Sequence, residues 1–133
     1  MNKKPSYLTI LALSIIFTSC SSNQLEGKWQ YDGGIYNGKP KAAAPDFVLQ
    51  RTYTNDKYEA HTVEAGVQGE KYAGGDYKID GDSLLLTGTF SSQVSQLVGI
   101  TQRYEFKLEG GKLTTKGILP NGMNVEEYWK KVD

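Results

Sequence analysis

Paired turn residues punctuate the chain at Asn37-Gly38, Asn55-Asp56, Gly74-Gly75, Asp80-Gly81-Asp82, Gly110-Gly111 and Asn121-Gly122, and most of them separate runs rich in Val, Ile, Thr, Tyr, Phe and Trp. Glycine accepts a positive φ without steric penalty and asparagine tolerates it, so such pairs favour tight hairpins. Antiparallel β structure is the expected outcome. Strands are expected over 27–32, 46–54, 57–66, 70–79, 83–91, 100–109, 112–119 and 123–132, and no stretch after Cys20 carries a helical period. The segment 40–45, Pro-Lys-Ala-Ala-Ala-Pro, is too short and too proline-flanked for a helix and reads as a linker or as a lid over one end.

Several of these runs alternate with a period of two, so that one face is apolar and the other polar. Ile100, Gln102, Tyr104, Phe106 and Leu108 share a face opposite Thr101, Arg103, Glu105 and Lys107. Phe47, Leu49 and Tyr53 fall together, as do Tyr77 with Ile79, and Leu84 with Leu86 and Phe90. Eight antiparallel strands joined mainly by hairpins close most simply into an up-and-down barrel, which leaves no exposed edge. A two-sheet β-sandwich is the alternative. At 133 residues with 38% hydrophobic content, one domain with a packed core is expected.

The first 25 residues read as an address. Met1-Asn2-Lys3-Lys4 is basic, Tyr7 to Phe17 is an apolar to weakly polar run, and Thr18-Ser19 are small. That is the pattern of a secretory signal, and the run is too short for the roughly 20 apolar residues of a membrane-spanning helix. Phe17-Thr18-Ser19-Cys20 resembles the lipobox of bacterial lipoproteins, with Phe17 where leucine is usual. The resemblance implies cleavage after residue 19, acylation of Cys20 with palmitate-type chains, and residues 20–25 as anchor and tether of a domain spanning 26–133. Two or more acyl chains hold a protein stably on a membrane, whereas one holds it only marginally. Ser21 stands where an Asp marks inner-membrane retention in such lipoproteins, which implies the outer membrane. The absence of an acidic cluster after Cys20 points to its periplasmic face.

Removing residues 1–19 takes Lys3 and Lys4 from the 15 basic groups and leaves 13 against 15 acidic ones, so no electrostatic case for nucleic acid exists. Cys20 is the only cysteine, which rules out an intramolecular disulfide.

Leu25-Glu26-Gly27-Lys28-Trp29 resembles the Gly-x-Trp opening of lipocalins and other calycins. Gly75 to Leu84 is similar to the central hairpin of small bacterial lipocalin-like lipoproteins, and Glu127 to Val132 to their closing strand. This resemblance implies a barrel whose closed base is plugged by Trp29 beneath a basic residue of the last strand, with Lys130 and Lys131 as the available choices. It also implies binding of a hydrophobic or amphipathic small molecule. The Thr-Asp-Tyr motif of larger lipocalins is missing.

Chemistry on the chain is sparse. His61 is the only histidine, so a Ser-His-Asp triad or a two-His zinc site is excluded. Asp80-Gly81-Asp82 lacks the remaining oxygens of a calcium loop and reads as a solvated turn. Glu126 and Glu127 are adjacent on a strand and point to opposite faces. No enzymatic activity, metal or cofactor is expected. The aromatic residues say more. Thirteen lie after Cys20, and a cavity lined by Phe47, Leu49, Tyr53, Tyr77, Leu86, Tyr104 and Phe106 suits an amphipathic ligand. Strict alternation also turns Arg51 inward, where a guanidinium can hold a carboxylate. Tyr31, Tyr36 and Tyr72 are expected outside, as a contact surface for a glycan or protein, and the uncharged run Ser91 to Gly99 as a loop gating the rim. The competing function is a solid barrel acting as an envelope interaction or inhibitor module through its surface.

Overall fold

The computed structural model describes residues 24–133, so the expected signal segment, Cys20 and most of the expected tether lie outside the described residues. Nine strands follow in chain order: β1 (Gly27–Tyr36), β2 (Lys39–Lys41), β3 (Val48–Thr54), β4 (Lys57–Glu64), β5 (Val67–Asp80), β6 (Ser83–Ser91), β7 (Thr101–Glu109), β8 (Lys112–Ile118) and β9 (Asn124–Lys131). Each of β3 to β8 pairs antiparallel with the next, β1 pairs with β3, and β9 returns to pair with β1. The result is a closed eight-stranded antiparallel barrel, and closure excludes the sandwich. β2 is a flap on the upper part of β1, formed through the Asn37-Gly38 turn, whose two residues both have positive φ.

Alternation governs the wall. Along β7, Gln102, Tyr104, Phe106 and Leu108 turn inward and are buried or half-buried, while Thr101, Arg103, Glu105, Lys107 and Glu109 are exposed. The expected pattern fails where the chain uses devices without a sequence signature. β4 ends at Glu64 rather than 66, because Ala65 takes a positive φ beside Gly66 and makes the turn. Gly74-Gly75 is no turn: it lies inside β5 at a register shift against β6. That shift displaces Phe90 from the face of Leu84 and Leu86, and it is largely exposed. β1 runs to Tyr36 rather than 32, passing an irregularity between Tyr31 and Gly34.

The two ends differ. At the closed end lie the turns of β3–β4, β5–β6 and β7–β8, together with both ends of the described chain. Leu25 and Trp29 are buried there, and the Trp29 indole Nε1 donates to the Leu25 carbonyl at 2.8 Å. Lys131 Nζ stands 5.0 Å from the Trp29 ring centroid and donates to the Glu26 carbonyl at 2.7 Å. Of the two lysines considered for this place, Lys130 is the one that does not fill it; it is exposed and, by parity, opposite in sense to inward Trp129. The loops 37–47, 65–66, 92–100 and 119–123 form the mouth.

Residues 24–133 contain the whole closed ladder and a single continuous core, so this stretch is expected to fold on its own. Leu84 is fully buried in that core. Leu84→Ala removes its transfer free energy and leaves a cavity, and is expected to cost about 2–5 kcal/mol. Urea unfolding of the barrel measures this directly; a loss near zero would mean that the centre is not close-packed.

Candidate binding site at the barrel mouth

Arg51 is the one charged side chain that β3 carries inward with Leu49 and Tyr53. Its guanidinium carbon lies 4.6 Å from the Trp129 ring centroid and 5.6 Å from that of Tyr58, and Nη1 donates to the Tyr53 hydroxyl at 3.3 Å. Faces of aromatic rings attract a cation, more strongly once water is excluded. Burial opposes the charge, but the Tyr53, Glu127 and Tyr72 oxygens more than offset it, and the pKa is raised. The interior therefore holds a permanent positive charge. Among the described residues, Arg51 Nε and Trp129 Nε1 are buried nitrogens with no hydrogen-bond partner.

Opposite Arg51 stands a polar relay. The Tyr31 and Tyr36 hydroxyls are 2.6 Å apart, and the Tyr36 hydroxyl donates to Glu127 Oε2 at 3.0 Å. Tyr31 also packs edge-on against Trp129, with centroids 5.4 Å apart. This corrects the expectation that Tyr31 and Tyr36 form an outer contact surface. The irregularity in β1 lets Tyr31 and Tyr36 reach each other, and Tyr31 is buried in the core. Tyr72, expected outside as well, is half-buried and close enough to Arg51 to feel its charge.

A cavity of about 80 Å³ adjoins Arg51, walled by Tyr58, Leu86, Gln102 and Tyr104 and roofed by Ser95, Leu97 and Val98. The roof is the uncharged loop 92–100. It is pinned where the Gly99 amide donates to the Gly88 carbonyl at 2.8 Å. A side chain at Gly88 would stand 2.6 Å from the Leu97 carbonyl oxygen, so only glycine lets the loop descend this far. At about 30 Å³ per water the cavity holds two or three waters or a small acid group, whereas a whole drug-sized ligand needs about 300 Å³ or more.

The expected cavity residues thus separate. Arg51, Leu86 and Tyr104 line the cavity, and Tyr53 supports Arg51 from beneath. Tyr77 packs edge-on against Tyr53 at 5.0 Å, lower in the core. Leu49 and Phe106 are half-buried against the core without bordering the cavity. Phe47 does not belong: it precedes β3, has no neighbouring strand to fix its direction, and is 37% exposed at the rim. Sequence reasoning missed Tyr58, Trp129 and Glu127. Tyr58 was open to detection, since it alternates inward with Ala60 against exposed Lys57 and Glu59.

The remaining candidates stay apart. His61 Nε2 stands 4.0 Å from Glu59 Oε2, and Glu126 pairs with Lys116 on the outside at 3.6 Å while Glu127 faces in. Among the described residues no three His, Cys, Asp or Glu side chains gather as a metal site.

Burial raises the pKa of the interior tyrosines. It pushes the Tyr104 phenol up to about 12, against the pull of Arg51, and it raises Tyr58, Tyr72 and Tyr77 as well. A phenol that holds its proton more tightly in the folded state contributes stability fully below its ordinary value of 10.0, and that contribution is lost as the pH rises through about 12. The unfolding free energy is therefore expected to fall between these values, and less steeply in Tyr104→Phe. Urea titrations at a series of alkaline pH values test this, and equal slopes would assign the fall to other groups.

No family model matches the sequence, and neither does any curated protein. Solved structures do match in shape. A crystal structure of an uncharacterized protein from Bacteroides eggerthii superposes with a TM-score of 0.59 at 15% identity, over 81% of this chain and 99% of that one. A redesigned β-barrel superposes with a TM-score of 0.51 at 11% identity, over 84% of this chain and 95% of that one. At such identities the likeness is one of fold, and the fold it shares is the small antiparallel β-barrel.

Proposed function

We propose that this chain is a lipid-anchored envelope protein whose lipocalin-like barrel binds an amphipathic small molecule with an acidic head. The observation that carries this reading is Arg51, a half-buried cation whose Nε is buried and unpartnered, beside a cavity of acid-group size. Burying a charge is costly unless it is paired, and a carboxylate seated at Arg51 would supply the missing acceptor. The barrel works by binding and carries no enzymatic activity. Its anchor is acylated Cys20, in the outer membrane on the periplasmic face, as the lipobox-like segment and Ser21 imply. Three residues lie between Cys20 and Gln24, and this four-residue step spans at most about 14 Å. Gln24 is at the closed end, so an anchored barrel turns its mouth away from the membrane that holds it.

A second reading is favoured by the filled lower half, where Tyr53, Leu84 and Leu113 are almost wholly buried. In that reading the barrel is solid and acts on a partner through its surface. Two experiments separate the possibilities. Expressed with its leader in a bacterium, the full chain is expected in the detergent phase and Cys20→Ala in the aqueous phase; equal partitioning would end the anchoring claim. Mass spectrometry of solvent extracts of the purified protein is expected to find a stoichiometric organic acid that is lost in Arg51→Met. Empty extracts from both would favour the solid barrel.

A further inference from the structure

The ladder between β7 and β8 stops short of the mouth. β7 and β8 are paired from Glu105↔Lys116 down to Glu109↔Lys112, and the same register would continue upward as Tyr104↔Gly117 and Arg103↔Ile118. Those pairs are not made, although β8 remains paired with β9 through Gly117 and Ile118. The upper seam is instead bridged by a side chain: Gln102 Nε2 donates to the Ile118 carbonyl at 2.8 Å and to the Arg103 carbonyl at 3.1 Å. Gly117 keeps the seam thin, because a side chain there would stand 2.7 Å from the Tyr104 ring.

Outside this seam lies an open groove of about 640 Å³, with Ile35, Ile118 and Val125 among its walls. That volume is within the usual range for small-molecule sites, whereas the inner cavity is far below it. Gln102 borders both spaces. Its amide bridge is exposed, so rotating Gln102 outward transfers its donors, and the carbonyls it leaves, to water at small cost.

We propose that the upper β7–β8 seam is a side portal, through which an elongated carboxylate keeps its head at Arg51 and lays its apolar tail in the groove between Ile35 and Ile118. The inference rests on the reading of Arg51 as an acid site and adds the shape of the ligand: one acidic head and an unbranched apolar chain too long for the inner cavity. Gln102 is the gate residue of this portal. Of the charged groups that border the groove, Lys116 is engaged with Glu126 at 3.6 Å and Arg103 with Asp80 at 3.8 Å, while Glu105 has no ion-pair partner among the described residues and leaves the stretch between Ile35 and Ile118 as the apolar one.

The test uses residues 24–133 and two probes, butyrate as a head alone and dodecanoate as a head with a tail, titrated calorimetrically. Both are expected to bind, and Arg51→Met is expected to abolish both. Ile35→Asn/Ile118→Asn is expected to weaken dodecanoate by about tenfold or more while leaving butyrate unchanged, since it removes only apolar contact along the groove. Phe47→Ser/Val94→Asn, at the mouth rim, is expected to change neither. If the rim variant weakens dodecanoate and the groove variant does not, the tail leaves through the mouth and the portal is wrong while the Arg51 site stands. If neither acid binds the unaltered barrel, or binding is indifferent to Arg51→Met, the acid site itself is wrong and the portal falls with it.

Discussion

Everything in this molecule depends on β9 returning to β1. Without that ladder the sheet would end in two open edges, each a template for pairing with another chain, and its inner face would be open to water. The ladder is held from inside: Tyr31 on β1 packs edge-on against Trp129 on β9, and Tyr36 donates to Glu127. At the closed end Lys131 of β9 covers Trp29 of β1 and reaches the carbonyl of Glu26. Aromatic and charged partners from the first and last strands thus join the two ends of a chain whose other neighbours are joined by consecutive turns.

Closure also makes the inward, half-buried arginine tenable. An isolated guanidinium in an apolar core is strongly unfavourable, and replacing such groups by apolar ones often stabilises a fold. Arg51 is tolerated because the barrel surrounds it with ring faces and phenolic oxygens, while Glu127 supplies the opposite charge at longer range. The arrangement leaves Nε unmatched. A core built for stability alone would put an aliphatic residue at this position, and this departure gives the acid-binding reading its weight.

The distribution of space follows from side-chain size. Below Arg51, Tyr53, Tyr77, Leu84 and Leu113 fill the taper. Above it the inner face carries small groups, Ala73 and Gly88, and the loop 92–100 descends to cover what they leave. At Gly117 the wall thins again, and Gln102 stands in for missing ladder bonds. The small inner cavity and the larger outer groove are consequences of the same economy of side chains near the mouth.

The sequence by itself determined the eight strands of the barrel wall, though not the short β2 flap, and with them the hairpin order, the alternation along β7, and the inward turn of Arg51 and Tyr53. These follow from period-two patterning and local turn chemistry, which depend only on neighbours along the chain. It did not determine where Tyr31, Tyr36, Phe47 and Phe90 would point, because a β1 irregularity, a strand that begins at Val48 and a register shift at Gly74-Gly75 are set by pairing across the sheet. It left Lys130 and Lys131 equal, and the register that sets Lys131 opposite Trp29 separated them. The tertiary structure alone decided that Trp129 and Glu127 close around Arg51 and that the β7–β8 ladder stops short of the mouth. These arrangements join residues up to 78 positions apart, and no local pattern encodes a meeting that exists only once the barrel has closed.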